Sequence, residues 1–397
     1  MKIVFLAPFG IRPKGTVIAR MIPLAVELQA LGHEVVIVAP PYTNPEDSGK
    51  TEVVRGVRLL NVSLPATGKA LSALPLAWRM FRSALAEKPD VVHLFKPKGY
   101  GGLASMLMIL LRRFGLRMPN LFVDTDDWEG KGGMNDLHSY SSAEKSLFAF
   151  QEQWISRNAV GITVASRELE NLTKELGVPN NEILYLPNCV ENSALGDGAR
   201  VRGKLCIVPD APVAMLYTRF FEFSQERLHL TLSGIHKHVP DVRFMIVGQG
   251  RHGEEELLLT AARAMGFAES LLMVGWVEPS DIPDYLAVAD VAVYPLDDTL
   301  VNRAKCPAKL TEIIRAGVPV VVDRVGQAIE YVKDGATGFL SDPAQVESMV
   351  HGAVNVLLDK AKGKLVGEEG RRSLLAHFNW HDSATHLSAF YLWRKKG

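Results

Sequence analysis

Residues 302–322, NRAKCPAKLTEIIRAGVPVVV, predict a helix that leads through a Gly-Pro turn into a wholly apolar strand. Lys309 lies near the start of this helix, and Glu312 follows one turn later on the same face. A helix N-terminus attracts phosphate oxygens through its free N–H groups, and Lys309 adds positive charge there. Glu312 can accept hydrogen bonds from both hydroxyls of a ribose, so the segment is suited to bind a sugar nucleotide. An amphipathic helix with an ordinary i,i+3 ion pair is the alternative.

Apolar runs alternate with helical patterns along the chain, as in a parallel α/β fold. In the first half the runs that read as buried strands are KIVFLAP, EVVIVAP, VRLLNV, DVVHLF, NLFVDT and AVGITVA. The alternation of apolar runs and helical patterns begins again at Pro212, with the runs VAMLYT, RFMIVG, SLLMVG, VAVYP and PVVV. Pro, Asn and Gly interrupt both periodicities at residues 186–198. Two doubly wound domains in tandem are therefore predicted, at residues 1–192 and 193–378.

The composition is that of a soluble globular protein with two domains of ordinary size. The 397 residues are 47% hydrophobic and 22% charged. Basic and acidic residues balance at 44 each, which argues against a nucleic-acid partner. The balance hides an asymmetry, because residues 1–120 hold 16 Lys and Arg against 7 Asp and Glu, a difference of +9. One lobe is therefore basic and the other acidic.

Three features of the sequence predict a cytoplasmic protein. The cysteines Cys189, Cys206 and Cys306 are odd in number and lack metal-type spacing, which fits a reducing compartment without disulfides. The opening MKIVFLAPFG lacks a small-residue cleavage site and reads as a buried strand rather than a signal peptide. The apolar run LASMLMILL stops at Arg112 and Arg113, well short of the roughly 20 residues that span a bilayer.

Ligands of doubly wound domains bind in the loops that follow the carboxyl ends of the strands. GIRPKG, at residues 10–15, follows the first strand, where Gly15 allows close approach of a phosphate and Lys14 adds charge. In VGQGR, Gly248 and Gly250 form another strand-to-helix turn. This turn lacks the third glycine and the acidic residue of a dinucleotide fingerprint, so it is weak support for any cofactor.

Two arginines follow the first strand of the second half. Arg219 comes directly after VAMLYT, and Arg227 lies eight residues later. A guanidinium in this place can bind two diphosphate oxygens at once. A solvated surface arginine is the alternative for both.

The ordered motifs of the second half resemble the donor domain of the retaining GT-B glycosyltransferases of family 4. Over about residues 215–340 the matching run is LYTRF, FMIVGQG, LLMVGWV, YLAVADVAVYP, PAKLTEIIRAGVPVVV and EYVKDGATGFL. The first half is more loosely similar, through GIRPKG, LQALGHEVVIVAP, KPDVVHLF and AVGITVASRELENL. The resemblance implies an α/β GT-B fold, in which two Rossmann-like doubly wound domains face each other across a cleft. It also implies that the last helix, at residues 379–397, crosses back to the first domain.

The activity implied by this resemblance is transfer of a glycosyl group from a UDP- or GDP-sugar to an acceptor, with retention at the anomeric carbon. Arg219 would bind the donor diphosphate and Glu312 the ribose, with Lys309 and Leu310 at the same site. The base would lie against the backbone near four further residues: Gly248, Gly250, Trp276 and Val277.

Two features of the donor site depart from the family pattern. Many members place a second glutamate eight residues before the ribose glutamate, where this chain has Ala304. Asp297 or Asp298 is therefore expected to serve the sugar hydroxyls. The lysine that commonly follows the phosphate arginine is also missing, and Arg227 is its candidate substitute.

A third departure concerns catalysis. Many relatives have a histidine at the end of the strand that reads LFVDT here, whereas this chain has Asp124, Asp126 and Asp127, with Asp126 at the matching place. A carboxylate can stabilise an oxocarbenium-like charge, so Asp126, helped by Asp127, is the predicted catalytic group. Alternatively, Asp126 caps the helix after Gly133 or bonds loop N–H groups. His93, at the end of a neighbouring strand, is a second cleft-facing candidate or a structural histidine.

No cofactor besides the donor is expected, and no metal site is predicted, because the chain has no His/Cys ligand cluster. The expected acceptor is a lipid or glycan precursor. Residues 68–88 and the helix after them combine aromatic, apolar and basic side chains, which favours peripheral contact with the inner face of an anionic membrane. The alternative is that these helices only pack on the first sheet.

Two other classes of protein remain open. A nucleotide-sugar epimerase shares the two-domain architecture, although its acid/base residues are not evident here in matching places. A glycosyltransferase-like binding module that has lost catalysis would explain the missing glutamate and histidine.

Overall fold

The computed structural model describes residues 1–12, 15–66 and 72–395, and the chain divides into two compact units. The first unit comprises Met1–Cys189, Ala304–Cys306 and Trp380–Gly397. The second comprises Val190–Arg303 and Pro307–Asn379. Each unit is built on its own sheet.

The described residues of the first unit form an eight-stranded sheet in the order β3-β4-β2-β1-β5-β6-β7-β8. Its strands are β1 Lys2–Leu6, β2 Glu34–Ala39, β3 Thr51–Val54, β4 Val57–Asn61, β5 Val91–Phe95, β6 Asn120–Thr125, β7 Gly161–Val164 and β8 Ile183–Tyr185. Neighbouring strands are parallel except β3 and β4, which form an antiparallel hairpin. The central strands are runs of Val, Ile, Leu and Phe buried on both faces, as a parallel sheet covered by helices requires.

Helices connect these strands. They are α1 Ile22–Ala30, α2 Ala73–Ala86, α3 Gly99–Arg113, α4 Ser142–Ser156 and α5 Arg167–Glu175. A π-helical turn, Val17–Met21, leads into α1. Helices α2 and α3 pack against each other, and both contribute to a core with β1, β2, β5 and β6.

The second unit has a sheet in which all pairs are parallel, in the order β11-β10-β9-β12-β13-β14. Its strands are β9 Val213–Tyr217, β10 Arg243–Val247, β11 Leu271–Gly275, β12 Val291–Tyr294, β13 Val320–Asp323 and β14 Phe339–Ser341. Its helices are α6 Gly198–Lys204, α7 Gln225–His238, α8 Glu254–Met265, α9 Ile282–Leu286, α10 Leu300–Ala304, α11 Ala308–Arg315, α12 Ala328–Tyr331, α13 Val346–Leu358 and α14 Lys360–His377. The direction of strand succession reverses between β9 and β12, which opens a crevice at their carboxyl ends.

The last helix, α15 Trp380–Lys395, belongs to the first unit. Tyr391 of α15 is fully buried against His93 and Phe122, with its ring centroid 5.7 Å and 4.8 Å from theirs. Along the same helix, Ser388 shares a hydrogen bond with His33. The third segment of the first unit is thus held by core contacts and not only by chain connection.

The prediction of two doubly wound parallel α/β domains is confirmed. Every apolar run that predicted a strand forms one, whereas the short strands β3, β8 and β14 were not predicted. These lie at sheet edges, where polar residues such as Glu52 interrupt the apolar pattern. In the described part of the chain, no helix has the length and apolar character needed to cross a membrane.

Candidate active site

A group of aromatic and charged side chains lies at the carboxyl end of β9 in the second unit. Lys309, in the first turn of α11, places its Nζ 4.4 Å from the ring centroid of Tyr217. Tyr217 forms a hydrogen bond with Glu312, one turn further along α11. Burial raises the pKa of the Tyr217 hydroxyl, and the negative charge of Glu312 raises it further, so this hydroxyl remains the donor to the carboxylate. The structure therefore brings Lys309 and Glu312 together at the end of β9.

Two guanidinium groups lie beside this group. Arg219 Cζ lies 4.8 Å from the ring centroid of Phe221, and Arg251 Cζ lies 5.6 Å from the same centroid. The charge of Arg219 also reaches Tyr217, where it lowers the pKa against the larger effects of burial and Glu312. Arg219 is therefore near the ribose candidate Glu312, and it is joined by Arg251, which sequence reasoning did not select. Two cations over one ring make an electropositive patch suited to a diphosphate.

A small hollow marks the crevice between β9 and β12. It is lined by seven residues: Leu216, Tyr217, Thr218, Glu222, Phe223, Tyr294 and Pro295. Burial raises the pKa of Tyr294, and the charge of the buried Glu222 raises it further. Glu222 was not predicted from the sequence, because an acidic residue in a loop after a strand carries no periodic signal.

The glycine turn after β10 shows why Gly248 is required. Its φ is +119°, and a Cβ at this position would lie 1.9 Å from the carbonyl oxygen of Thr218. Gly250 donates its amide to Glu255 Oε1 at 2.7 Å, and the amide of His252 is bonded to Glu254 Oε2 at 2.6 Å. Acidic side chains of α8 thus already accept the hydrogen bonds of these loop amides. The turn therefore lets a ligand come close to the backbone, but these two amides are not free to bind a phosphate.

The remaining predicted donor contacts differ in accessibility. Trp276, directly after β11, exposes 64% of its surface, and the neighbouring Val277 is partly buried. Leu310 is fully buried, so its side chain packs in the core of the second unit and does not face a ligand. Its amide is bonded to the carbonyl of Pro307 at 3.1 Å.

Arg227 has a different environment from the one that its predicted diphosphate role requires. Its Nη2 donates to both carboxylate oxygens of Asp323 at 2.7 Å, and its Nη1 lies 3.3 Å from Asp297 Oδ1. Asp323 ends β13 and is fully buried, so Arg227 compensates a carboxylate that burial would otherwise penalise. These contacts favour a structural role for Arg227 and occupy Asp297. Asp298 is paired with Arg303 at 2.8 Å.

The first unit holds a separate cluster at the carboxyl ends of β5 and β6. Lys96, directly after β5 and at a φ of +57°, places its Nζ 2.7 Å from Asp126 Oδ1 and within hydrogen-bonding distance of Asp127. Lys98 Nζ lies 2.8 Å from Glu129 Oε2. The parallel register, which pairs Phe95 with Asp124, brings the residues after each strand to one edge. Two lysines and three carboxylates therefore meet here.

The pKa values of the two aspartates are shifted in opposite directions. Burial alone would raise the pKa of Asp126, but the charges of Lys96 and Arg20 outweigh it and hold that pKa below its ordinary value. Burial raises the pKa of Asp127, and the charges of Asp126 and Glu129 raise it further against the pull of Lys96. Neighbouring carboxyls whose pKa values are pushed apart are typical of acid/base sites. Asp126 therefore stays ionised more readily than an exposed aspartate, and Asp127 binds a proton more readily than one.

The described contacts of Asp126 are with side chains of the first unit. Its Oδ2 accepts a hydrogen bond from Thr16 Oγ1 at 3.2 Å, beside Gly15 in the loop after β1. The carbonyl of Gly15, just before the π-helical turn, accepts a hydrogen bond from the amide of Ala19, within that turn, at 2.9 Å. Among the described residues, no hydrogen bond joins Asp126 to the short helix after Gly133 or to a loop N–H group. Lys14 lies outside the described residues.

His93 is in the core of the first unit rather than at an open surface. It is 0% exposed, shares hydrogen bonds with Tyr391 and Thr163, and lies among aromatic rings that include Phe5 and Phe95. Burial lowers its pKa to about 4, so the imidazole is neutral. The prediction that His93 faces a cleft is therefore wrong, because β5 points this side chain into the layer covered by α15.

Asp124 is likewise structural. Both of its oxygens accept bonds from Arg20, at 2.6 Å and 2.8 Å, and Thr163 donates to it at 2.5 Å. Arg20 also donates to the carbonyl of Leu186 at 2.7 Å. Both members of this pair are almost fully buried, and each satisfies the other. Sequence reasoning missed Arg20, which reads as an ordinary helix arginine, and Lys96, although its position directly after a predicted strand was a usable signal.

Two family models match the chain. One, described as a glycosyl transferase 4-like domain, matches residues 15–189, and the other, described as glycosyl transferases group 1, matches residues 212–359. Together they cover most of the sequence.

Similar proteins of known activity are distant in sequence. A GDP-mannose-dependent alpha-(1-6)-phosphatidylinositol monomannoside mannosyltransferase of Mycolicibacterium smegmatis is 25% identical over 248 residues, which are 61% of this chain and 64% of that protein. The chain therefore spans just under two thirds of that relative. A glycogen synthase of Mycobacterium tuberculosis is 24% identical over 397 residues, 94% of this chain and 90% of that protein. The solved structure of HepE from Anabaena, in complex with UDP and glucose, aligns with a TM-score of 0.73 at 17% identity over 98% of both chains. At that identity the likeness shows the fold.

Proposed function

We propose, from the premise that this chain belongs to the group 1 glycosyltransferases of family 4 with the GT-B fold, that it transfers a sugar from a nucleoside-diphosphate sugar with retention at the anomeric carbon. The observation that carries the proposal is the grouping of Tyr217, Arg219, Lys309 and Glu312 at the carboxyl end of β9. It combines cations for a diphosphate with an oriented carboxylate for a ribose, beside a strand-order reversal where such sheets bind ligands.

The donor roles follow from charge. During transfer the bond between the anomeric carbon and the diphosphate oxygen breaks, and negative charge grows on the leaving diphosphate. Arg219 and Lys309 would stabilise that charge, with Arg251 nearby, because preorganised cations lower the barrier without reorganising. Glu312, held by Tyr217, would fix the ribose. No metal ion is needed in this proposal, since side chains supply the cations.

The carboxylates of the first unit would act on the reacting sugar and the acceptor. The new bond forms between an acceptor hydroxyl oxygen and the anomeric carbon, and the hydroxyl proton must be taken up. Asp127, whose pKa is raised, is the proposed proton acceptor. Asp126, kept ionised by Lys96, is the proposed partner of the positive charge that develops on the sugar.

For the donor and the acceptor we propose chemical classes rather than single compounds. One relative is described as GDP-mannose-dependent, and a solved structure of the same fold contains UDP, so UDP- and GDP-sugars are both candidates. The acceptor class we propose is a lipid or glycan precursor, presented to a cytoplasmic enzyme that contacts the membrane peripherally.

Incubation with a panel of UDP- and GDP-sugars tests the function. Glycosyltransferases of this kind are expected to hydrolyse their donor slowly when the acceptor is absent, so we expect release of nucleoside diphosphate from at least one donor. Conversion of one sugar into its epimer without release would instead identify an epimerase. Binding without turnover, in the presence of candidate lipid and glycan acceptors, would identify a non-catalytic module.

A further inference from the structure

The outer layer of the first unit combines exposed apolar side chains with unpaired arginines. We name residues 73–86 and 99–117 the basic helical layer; it consists of α2, α3 and the segment that follows α3. Its charged residues are all basic: Arg79, Arg82, Arg112, Arg113 and Arg117. Within the part of the chain that the structure describes, none of these arginines forms an ion pair, since Arg79, Arg112 and Arg113 bond only neutral oxygens. The layer therefore carries five positive charges without a compensating carboxylate.

The same layer exposes large hydrophobic side chains. The inner faces of α2 and α3 are buried in the core through residues such as Met80 and Met108. The outer face leaves Leu74 73%, Trp78 51% and Phe114 83% exposed. Leu110 and Leu116 are also exposed. Trp78 stacks on Phe81, with 5.3 Å between ring centroids, so the indole is held in place rather than free to fold inward. A fixed apolar surface beside unpaired cations is unusual for a face that meets only water.

We infer that the basic helical layer docks on the surface of an anionic phospholipid bilayer. Charge complementarity selects this occupant: guanidinium groups bind lipid phosphates bidentately, and the exposed aromatic side chains fit the boundary between head groups and acyl chains. A polar protein partner would not provide an apolar surface for Trp78 and Phe114. Nucleic acid could pair with the arginines, but it would make no favourable contact with the apolar side chains.

A cavity at the end of α3 supports the same occupant. It has a volume of about 270 Å³ and lies beside Arg112 and Arg113, with apolar walls that include Met108, Ile109 and Leu121. An apolar hollow with two arginines at its rim matches an amphiphile that has an anionic head. Helix α3 ends here, and its last carbonyls add negative potential that the two arginines offset.

The position of the layer suits an enzyme with a lipid-borne acceptor. Helix α3 begins directly after Lys98, which contacts Glu129 in the carboxylate cluster. Its 15 residues extend about 22 Å from that edge of the sheet to Phe114. A bilayer lying along the layer would therefore leave the carboxylate cluster at the side of the docked unit, within reach of a head group.

Vesicle flotation with the full chain tests the proposal. We expect binding to vesicles of phosphatidylcholine mixed with phosphatidylglycerol, and at least tenfold less binding to phosphatidylcholine alone. The double variant Arg82→Ser with Arg117→Ser should weaken binding roughly 25-fold, since each basic residue near an anionic surface contributes roughly fivefold. The pair Lys237→Ser with Arg263→Ser removes the same charge from the exposed surface of the second unit and should leave binding unchanged.

The apolar contribution is tested by Trp78→Ser with Phe114→Ser, which should also lose most of the binding. Leu358→Ser with Leu365→Ser, at equally exposed sites of the second unit, is its control. Equal losses in the control pairs, or no binding of wild type to anionic vesicles, would overturn the proposal. So would a dimer in light scattering that only the layer variants dissociate, because the layer would then join two copies. No donor or acceptor is present in these assays, so their failure leaves the donor proposal untouched.

Discussion

Replacing Glu312 tests whether the group at the end of β9 binds a nucleotide. The carboxylate is oriented by the Tyr217 hydroxyl, so we expect it to offer both oxygens to a ribose in a fixed direction. A hydrogen bond to a charged group contributes about 1.5–3 kcal/mol, so Glu312→Ala should weaken nucleoside-diphosphate affinity roughly 10- to 150-fold. Calorimetric titration with UDP and with GDP measures this for whichever nucleotide binds.

Two further variants separate orientation from charge and from general damage. Tyr217→Phe removes the hydroxyl that orients Glu312 but leaves the carboxylate able to bind the ribose, so we expect a smaller loss of affinity, roughly 2- to 10-fold or about 0.5–1.5 kcal/mol. Glu347→Ala removes an exposed carboxylate from α13 of the same unit and should have no effect. If Glu312→Ala keeps affinity within twofold of wild type while its unfolding midpoint is unchanged, the ribose assignment is wrong.

Three other predictions concern catalysis, pH and backbone geometry. Asp126→Asn and Asp127→Asn keep the size of each side chain, and we expect each to lower turnover by about two orders of magnitude at a temperature where circular dichroism shows the variant to be folded. Asp126→Asn should also lower the unfolding temperature, because Lys96 then loses a charged partner. Wild-type turnover in either variant would remove that aspartate from the mechanism. His93 has a pKa lowered by burial from 6.5 to about 4. The unfolded state therefore binds more protons between these values, and stability falls as pH drops through that window, by up to about 3 kcal/mol. His93→Gln should flatten this part of a urea-unfolding profile, and an unchanged slope would show that other groups carry it. Gly248→Ala should destabilise the second unit by more than about 2 kcal/mol because of its positive φ and the nearby carbonyl oxygen. Gly253→Ala, at a positive φ in open space, should cost only about 1 kcal/mol, and equal losses would contradict the steric argument.

The fold was predictable because its central strands are continuous apolar runs. Segments such as VAML, at residues 213–216, and PVVV have no polar side chain to face solvent, which favours buried parallel strands between helices. The strands that escaped prediction, β3 and β14 among them, are short and lie at edges, where one side is open to water. Edge strands need little apolar content, so periodicity does not reveal them.

The proximity of Arg219, Lys309 and Glu312 could be expected from the sequence. Arg219 directly follows a recognisable strand, and Lys309 and Glu312 lie one turn apart on a recognisable helix. Arg227 shows the limit of that reasoning. Its partner Asp323 is 96 residues away in sequence, and only folding of β13 beside β12 brings the two together. The residues around Arg227 do not indicate that a distant carboxylate will be buried beside it. From the sequence alone, a structural arginine therefore cannot be distinguished from one that binds a ligand.

The same limit applies to the first unit. The three aspartates at the end of β6 and just after it look alike in sequence. Arg20 nevertheless pairs with Asp124, whereas Lys96 pairs with both Asp126 and Asp127. Which carboxylate is structural depends on long-range partners. His93 was misassigned for the same reason, since the helix that covers it begins almost 300 residues later.

Proton NMR of the anomeric signal tests the central claim most directly. Wild-type protein is mixed with the UDP- or GDP-sugar that binds, and the donor signal and the first-formed free or transferred sugar are followed over time. We expect that the donor signal decays with release of nucleoside diphosphate, that the first product has the anomeric configuration of the donor, and that Arg219→Ala abolishes both the decay and the product. A first product of opposite configuration, or turnover that survives Arg219→Ala unchanged, would contradict it.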